Sequence, residues 1–179
     1  MDYVPVKNNN VDPANYIAQY KLYKILENDP TLLSKSQNLS DFYYNNKALA
    51  YGKLLDVENQ LINGNYSSAL SIVNGISNKN HIENNYSEFA NLYSKYYTKA
   101  YDSTDNKTLF ILANKCPFIE GEVIYNARAF YNIINSTVEV FKDNCPDNSN
   151  SRLNNPSALS TNWTVNLYPN PATDELFIN

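Results

Sequence analysis

Few residues in this chain combine the types and spacing that catalysis or metal binding would require. The single histidine, His81, lies in a stretch rich in Asn and Lys, so we expect an exposed residue without a catalytic role. Glu120 and Glu122 could serve acid–base chemistry, although complementarity to a helix dipole explains them more simply. One histidine and two cysteines are too few for a conventional His/Cys zinc cluster. The P-loop, Gly-x-Ser-x-Gly and His-Glu-x-x-His motifs are absent, and we predict no catalytic residue, metal site or cofactor.

Tyrosine is the other residue type with chemical potential, and the chain contains 16 of them. The clearest group is a stripe at helical spacing that places Tyr93 and Tyr97 beside Phe89 and Leu92. Tyrosines at this spacing usually belong to a core, but tyrosine is also a favoured anchor in binding grooves. A core role is therefore the preferred interpretation of Tyr93 and Tyr97, and a candidate binding surface for a peptide or a glycan is the alternative.

The elements that must position these residues are helices. Apolar residues recur at three- and four-residue spacing through six segments, which predicts a mainly α fold, either a helical bundle or stacked helical hairpins. Asp12 is predicted to cap the first helix, with Pro13 at its first position. Ser40 is predicted to cap one longer helix that runs to Ile62, and a polar loop through His81 precedes the tyrosine stripe.

One short motif suggests a repeat. Gly64-x-Tyr66-x-x-Ala69-Leu70 matches half of a tetratricopeptide hairpin, but no second copy follows at a 34-residue period. A generic helical hairpin therefore explains this segment better than a repeat array does.

Charge and hydropathy argue against two classes of partner, nucleic acids and a membrane crossed by this chain. Lys and Arg total 14 and Asp and Glu total 18, which gives a net charge of −4. Without a run of basic residues to replace phosphate counterions, we expect no nucleic-acid binding. No apolar stretch approaches the roughly 20 residues that a membrane span needs, so we expect none.

The character of the sequence changes after Cys145. Residues 1–145 are predicted to form the helical module, and the polar, aperiodic residues 146–162 a flexible linker. In 163–179, apolar and polar residues alternate on both sides of a turn that contains Pro169 and Pro171. This pattern predicts a strand, a turn and a second strand.

The tail carries the most specific motif of the chain, Leu-Tyr-Pro-Asn-Pro-Ala-Thr-Asp-Glu-Leu-Phe-Ile at 167–178. It resembles the opening of the type A C-terminal sorting domain of Bacteroidota type IX secretion (Por secretion system) substrates. The resemblance implies an immunoglobulin-like β-sandwich, the type IX machinery as partner, and a secreted or outer-membrane cell-surface location reached through the periplasm. The sorting motif would comprise Leu167, Tyr168, Pro169, Asn170, Pro171, Ala172, Asp174, Leu176 and Ile178.

Both ends of the chain depart from a complete secretion substrate. The start shows no secretory signal peptide, and the later strands of a sorting domain are absent. We expect a piece of a longer protein whose sorting domain is truncated.

A second resemblance covers roughly 30 residues that include Ala113–Ala129. This segment is similar to a helical region often found before such sorting domains in long secreted Bacteroidota proteins. Within it, Gly121 lets a loop enter a helix, and Ala127 and Ala129 permit close packing. Arg128 is expected to pair with a nearby carboxylate or carbonyl in a structural role, with ligand binding as the alternative.

Export would place the two cysteines in an oxidising compartment, so the resemblance implies a disulfide between Cys116 and Cys145. A single helix over 119–143 would hold the two sulfur atoms far apart. The bond therefore requires the last helix to end near Asn135 and Ser136–Phe141 to run back in an extended conformation.

Three functions stay open at this stage. The first, which we prefer, is a non-catalytic C-terminal helical module joined to a sorting signal, in a secreted or cell-surface protein. The second is a fragment of a secreted peptidase or glycosidase whose catalytic domain lies upstream. The third is a binding module that uses a tyrosine-lined surface for a peptide or glycan.

Overall fold

The structure is a computed structural model that describes residues 11–143 and Cys145. The chain divides into two units, Met1–Cys145 and Pro146–Asn179, and every described residue belongs to the first. The predicted linker at 146–162, the predicted strands at 163–179 and the whole sorting motif lie outside the described residues.

The fold is mainly α, as predicted. Across 11–143, eight α-helices and one 3₁₀ helix form the regular structure and no strand occurs. The α-helices are α1 Pro13–Asn28, α2 Gln37–Lys47, α3 Ala50–Ile62, α4 Tyr66–Asn74, α5 His81–Tyr97, α6 Ser103–Ala113, α7 Pro117–Glu120 and α8 Val123–Asn135, and the 3₁₀ helix is Pro30–Lys35.

The first helix begins as predicted, since the Asp12 side chain accepts a hydrogen bond from the Ala14 backbone N–H. The single helix predicted from Ser40 to Ile62 is wrong. The structure has two helices there, and Ser40 lies inside α2 rather than at its cap.

Gly52 explains the break between these two helices. An added Cβ at this position would lie 1.9 Å from the backbone oxygen of Lys47, in the last residue of α2. The missing side chain therefore allows α3 to start against the end of α2. A glycine in the first turn of α3 was the signal in the sequence that marked this close approach.

The predicted polar loop is present between α4 and α5 but ends at Asn80, one residue earlier than predicted, because His81 is the first residue of α5. Asn80 precedes it as the N-cap, and its side chain and the Glu83 side chain bond each other's backbone N–H groups in a capping box. The prediction weighed the high polarity of this segment and not its capping pattern.

Helices that follow one another in the chain pack against each other. Helix α3 packs on α4, α4 on α5, α5 on α6, and α6 on α8. Helices α3 and α5 also contact each other, as do α5 and α8, so these three form one layer. Helix α1 packs against α2, α3 and α7.

Tyrosines are a large part of the core. Tyr16, Tyr20 and Tyr51 are buried, and their rings pack in edge-on or tilted contacts. Their hydroxyls donate to polar side chains: Tyr16 to Glu83 at 2.9 Å, Tyr20 to Glu58 at 3.1 Å and Tyr51 to Gln19 at 2.8 Å. Each phenol thus buries its ring while its hydroxyl keeps a partner.

The predicted disulfide is confirmed: Cys116 and Cys145 are bonded, with their Cα atoms 4.9 Å apart. The predicted end of the last helix is confirmed as well, whereas Ser136 is not extended as predicted. Helix α8 ends at Asn135, Ser136 adopts a left-handed conformation with φ of 51°, and 137–143 run back without regular structure.

Arg128 holds this returning segment in place. Its guanidinium donates to the backbone oxygens of Ala113 at 2.9 Å and Lys115 at 3.1 Å, at the end of α6. On the returning segment it donates to the Asp143 carboxylate at 2.7 Å and to the Lys142 backbone oxygen. The predicted structural role of Arg128 is therefore confirmed.

Candidate functional site

The layer formed by α3, α5 and α8 contains a groove of about 450 Å³. This volume lies within the range of small-molecule sites, about 300–1,000 Å³. The groove is lined by Val57, Glu58, Leu61 and Ile62 of α3, by Tyr86, Phe89, Tyr93 and Tyr97 of α5, by Val123, Asn126, Ala129, Phe130 and Ile133 of α8, and by Lys24 of α1.

Tyr93 and Tyr97, the two tyrosines predicted as a candidate binding surface, both lie in this groove. Their ring centroids are 4.8 Å apart, and the Phe130 ring lies 4.9 Å from Tyr93. Tyr93 is half-buried, whereas Tyr97 is 48% exposed. Burial, together with the neighbouring Tyr97 hydroxyl, raises the pKa of Tyr93 to about 12. Its phenol therefore stays protonated at neutral pH and can donate a hydrogen bond.

Apolar side chains border the aromatic part of the groove. Ile62 is 79% exposed and Ile133 is 71% exposed, each near the C-terminal end of its helix. Both line the groove together with Tyr97. Exposed apolar groups around an aromatic hollow are typical of ligand and partner sites.

Two charged side chains, Lys24 and Glu58, also line the groove. The Lys24 Nζ atom lies 3.8 Å from Glu58 Oε2 and 3.3 Å from a carboxylate oxygen of Glu122. Tyr20 donates to the other oxygen of Glu58. Burial raises the pKa of the Glu58 carboxyl, while Lys24 and the hydroxyls of Tyr20 and Tyr86 act in the opposite direction.

The sequence predictions missed Lys24 and Glu58. Glu58 follows Val57 within the apolar stripe Leu54, Val57 and Leu61 of α3, so a carboxylate sits next to the buried face of its helix. That position was the available signal. Its partners Lys24 and Tyr86 come from distant parts of the chain, and helical periodicity does not bring such residues together.

The other candidates from the sequence are placed apart. Glu120 accepts a hydrogen bond from the Asn85 side chain at 2.7 Å, whereas Glu122 pairs with Lys21 at 3.1 Å and with Lys24. The two carboxylates therefore serve different contacts. His81 is half-buried rather than exposed, and its Nε2 lies 3.0 Å from the Ile119 backbone oxygen.

A second hollow lies on the other side of α5, against α4. It has a similar volume of about 450 Å³. Apart from Leu70, its lining is polar and consists of Asn74, Asn84, Ser87, Glu88 and Asn91. It contains no aromatic side chain among these residues.

The described residues contain neither a metal-binding cluster nor a helix suited to cross a membrane. In 11–143 and Cys145, no group of three or more His, Cys, Asp and Glu side chains is arranged to hold a metal ion. Over the same residues, no helix is long and apolar enough to cross a membrane.

Comparison with known proteins gives no relative: no family model, no curated protein and no solved structure matches this chain.

Proposed function

We propose that residues 1–145 form a non-catalytic helical module that binds a ligand in the groove between α3, α5 and α8. The observation that carries this proposal is the exposure of Tyr97, Ile62 and Ile133 around one aromatic hollow. Core tyrosines in this fold are only 2–8% exposed, so the exposure of Tyr97 distinguishes it from them. Aromatic side chains in a concave site are favoured binding anchors.

Ala129 offers a direct test of the groove. It lines the groove and is exposed, so Ala129→Trp fills the space without removing a core contact. Ala18→Trp is the matched control, because Ala18 is exposed in the interior of α1 and does not line the groove. Binding to immobilised glycan and peptide arrays should be lost in Ala129→Trp and kept in Ala18→Trp. Equal binding by both variants would contradict the proposed site.

We also propose that this module belongs to a secreted or cell-surface protein that is exported by type IX secretion. Two observations support the proposal: the resemblance of 167–178 to a sorting domain, and the disulfide between Cys116 and Cys145. Structural disulfides are typical of oxidising compartments and are rare in the cytosol. The sorting machinery would be the partner of the tail, and the helical module would travel with it.

Substitution of the sorting motif tests the export proposal. The longer protein that we expect to contain this chain is expressed in a Bacteroidota host with type IX secretion, once unaltered and once with Tyr168, Pro169, Asn170 and Pro171 replaced by alanine. The unaltered protein should reach the cell surface or medium, and the variant should accumulate in the periplasm. Export of the variant at the unaltered rate would remove the motif as the signal.

A further inference from the structure

We propose that the groove binds a neutral oligosaccharide, with one sugar ring packed on the aromatic wall and hydroxyls of another ring bonded to Glu58 and Lys24. This inference rests on the proposed binding function and specifies its ligand. It starts from the arrangement of an aromatic wall and a compact polar group in one hollow.

The charges of the groove favour a ligand without net charge. Among the described residues that line it, Lys24 and Glu58 are the charged ones, and their charges cancel. Lys24 is also matched by Glu122, which Lys21 contacts in turn. A charged ligand would compete with an existing ion pair and leave one partner unmatched in a half-buried site.

The spacing of the polar group suits a hydroxyl. Lys24 Nζ and Glu58 Oε2 are 3.8 Å apart, which is longer than a hydrogen bond. A ligand hydroxyl can accept from the ammonium group and donate to the carboxylate at the same time. The hydrogen bond from Tyr20 to the other oxygen of Glu58 is kept in this arrangement.

The aromatic wall suits another ring of the same oligosaccharide. A pyranose ring has an apolar face of C–H groups and a rim of hydroxyls, so it pairs with an aromatic ring beside hydrogen-bonding groups. Tyr93, Tyr97 and Phe130 supply the rings, and Asn126 supplies an exposed amide on the same groove. Few, well-placed polar groups in a largely apolar lining are usual for small-molecule sites.

An extended peptide fits this groove less well. Its backbone N–H and C=O groups would need hydrogen-bond partners. The groove walls are helices, whose own backbone groups bond within each helix. Of the lining residues that the structure describes, Asn126 alone has an amide side chain. The walls therefore offer little for a peptide backbone to pair with.

The inference is tested with four neutral trisaccharides: cellotriose, maltotriose, mannotriose and triacetylchitotriose. Binding to the whole 179-residue chain is measured by saturation-transfer NMR and titration, alongside an array of uncharged peptides. At least one trisaccharide should bind, and Tyr97→Ala and Glu58→Gln should each weaken it about tenfold or more. Asn126→Ala, at an exposed position, should weaken it as well, whereas Tyr44→Ala should not, because Tyr44 is exposed on α2 outside the groove.

The outcomes separate this inference from the proposed function. Peptide binding that is sensitive to Tyr97→Ala, without saccharide binding, would overturn the saccharide and leave the groove as a binding site. Saccharide binding that is unchanged in Tyr97→Ala, Glu58→Gln and Asn126→Ala would overturn the assigned position. Failure of every probe to bind would overturn both proposals.

Discussion

At the scale of single residues, Glu58 has an unusual environment, since its carboxylate lies between two tyrosine hydroxyls and one ammonium group. Its side chain is 22% exposed, and burial raises its pKa in the folded protein. The folded state therefore holds this proton more tightly than the unfolded chain does. Glu58 contributes stability at low pH that is lost as the pH rises above the ordinary carboxyl range, about 4.3.

The raised pKa of Glu58 predicts that stability depends on pH differently in the protein and in its Glu58→Gln variant. The free energy of unfolding of the unaltered protein, relative to the variant, should fall as the pH is raised from 4 towards neutrality. Urea unfolding at several pH values measures it. Asp102, whose pKa is lowered by hydrogen bonds from the backbone N–H groups of Asp105 and Thr104, acts oppositely but equally in both proteins. A difference that grows with pH would show that the Glu58 carboxyl has a lowered pKa.

Local sequence was enough to predict some residues of the module but not others. Asp12 was predicted because a helix cap depends on neighbouring residues. Arg128 was predicted to pair with a carboxylate or carbonyl because of its residue type. The contact between Glu58 and Tyr20 joins positions 38 residues apart, and the one between Tyr16 and Glu83 joins positions 67 apart. Such pairs depend on how α1 packs on α3 and on the start of α5, which no helical period specifies.

At the scale of elements, the junction between α2 and α3 is the sharpest constraint. The Cβ of Gly52→Ala would lie 1.9 Å from the Lys47 backbone oxygen, so the backbone must move. We expect a loss of about 1–3 kcal/mol or more in the free energy of unfolding. Gly75→Ala is the matched control, because its Cβ would meet the nearest atoms at 3.4 Å and φ is −76°. Chemical denaturation of both variants measures this, and equal stabilities would disprove the close approach.

Helix content was predictable from periodicity, whereas helix number was not. The tyrosine stripe and the α4 hairpin follow from local patterns. The end of α8 at Asn135 was predicted instead from the disulfide, which a longer helix would prevent. The break at Leu49, whose backbone is extended, and the short α7 before Gly121 depend on tertiary contact. At Gly121 φ is +96°, and an added Cβ would meet Ile82 of α5 at 2.7 Å, so packing determines this turn.

At the scale of the whole module, the disulfide bonds Cys145, at the end of residues 1–145, to Cys116 between α6 and α7. Cys116 and Cys145 are separated by 29 positions, and a loop of this length corresponds to about 3–4 kcal/mol in the chain-entropy estimate. We expect the double variant Cys116→Ser, Cys145→Ser to lose about 2–4 kcal/mol of unfolding free energy. Denaturation with and without a reductant checks this, since the reductant should lower the stability of the unaltered protein alone. A variant as stable as the oxidised protein would contradict a structural role for the bond.

The central claim for the whole molecule is that its ligand site is the groove of α3, α5 and α8. The most direct measurement is backbone NMR of the labelled chain during titration with the strongest-binding array component. We predict that the largest shift changes fall on groove residues of these three helices, including Tyr97 and Asn126, and that they vanish in Ala129→Trp. Shift changes centred instead on Asn84 and Asn91, in the polar hollow between α4 and α5, would contradict the claim, as would a titration without any shift change.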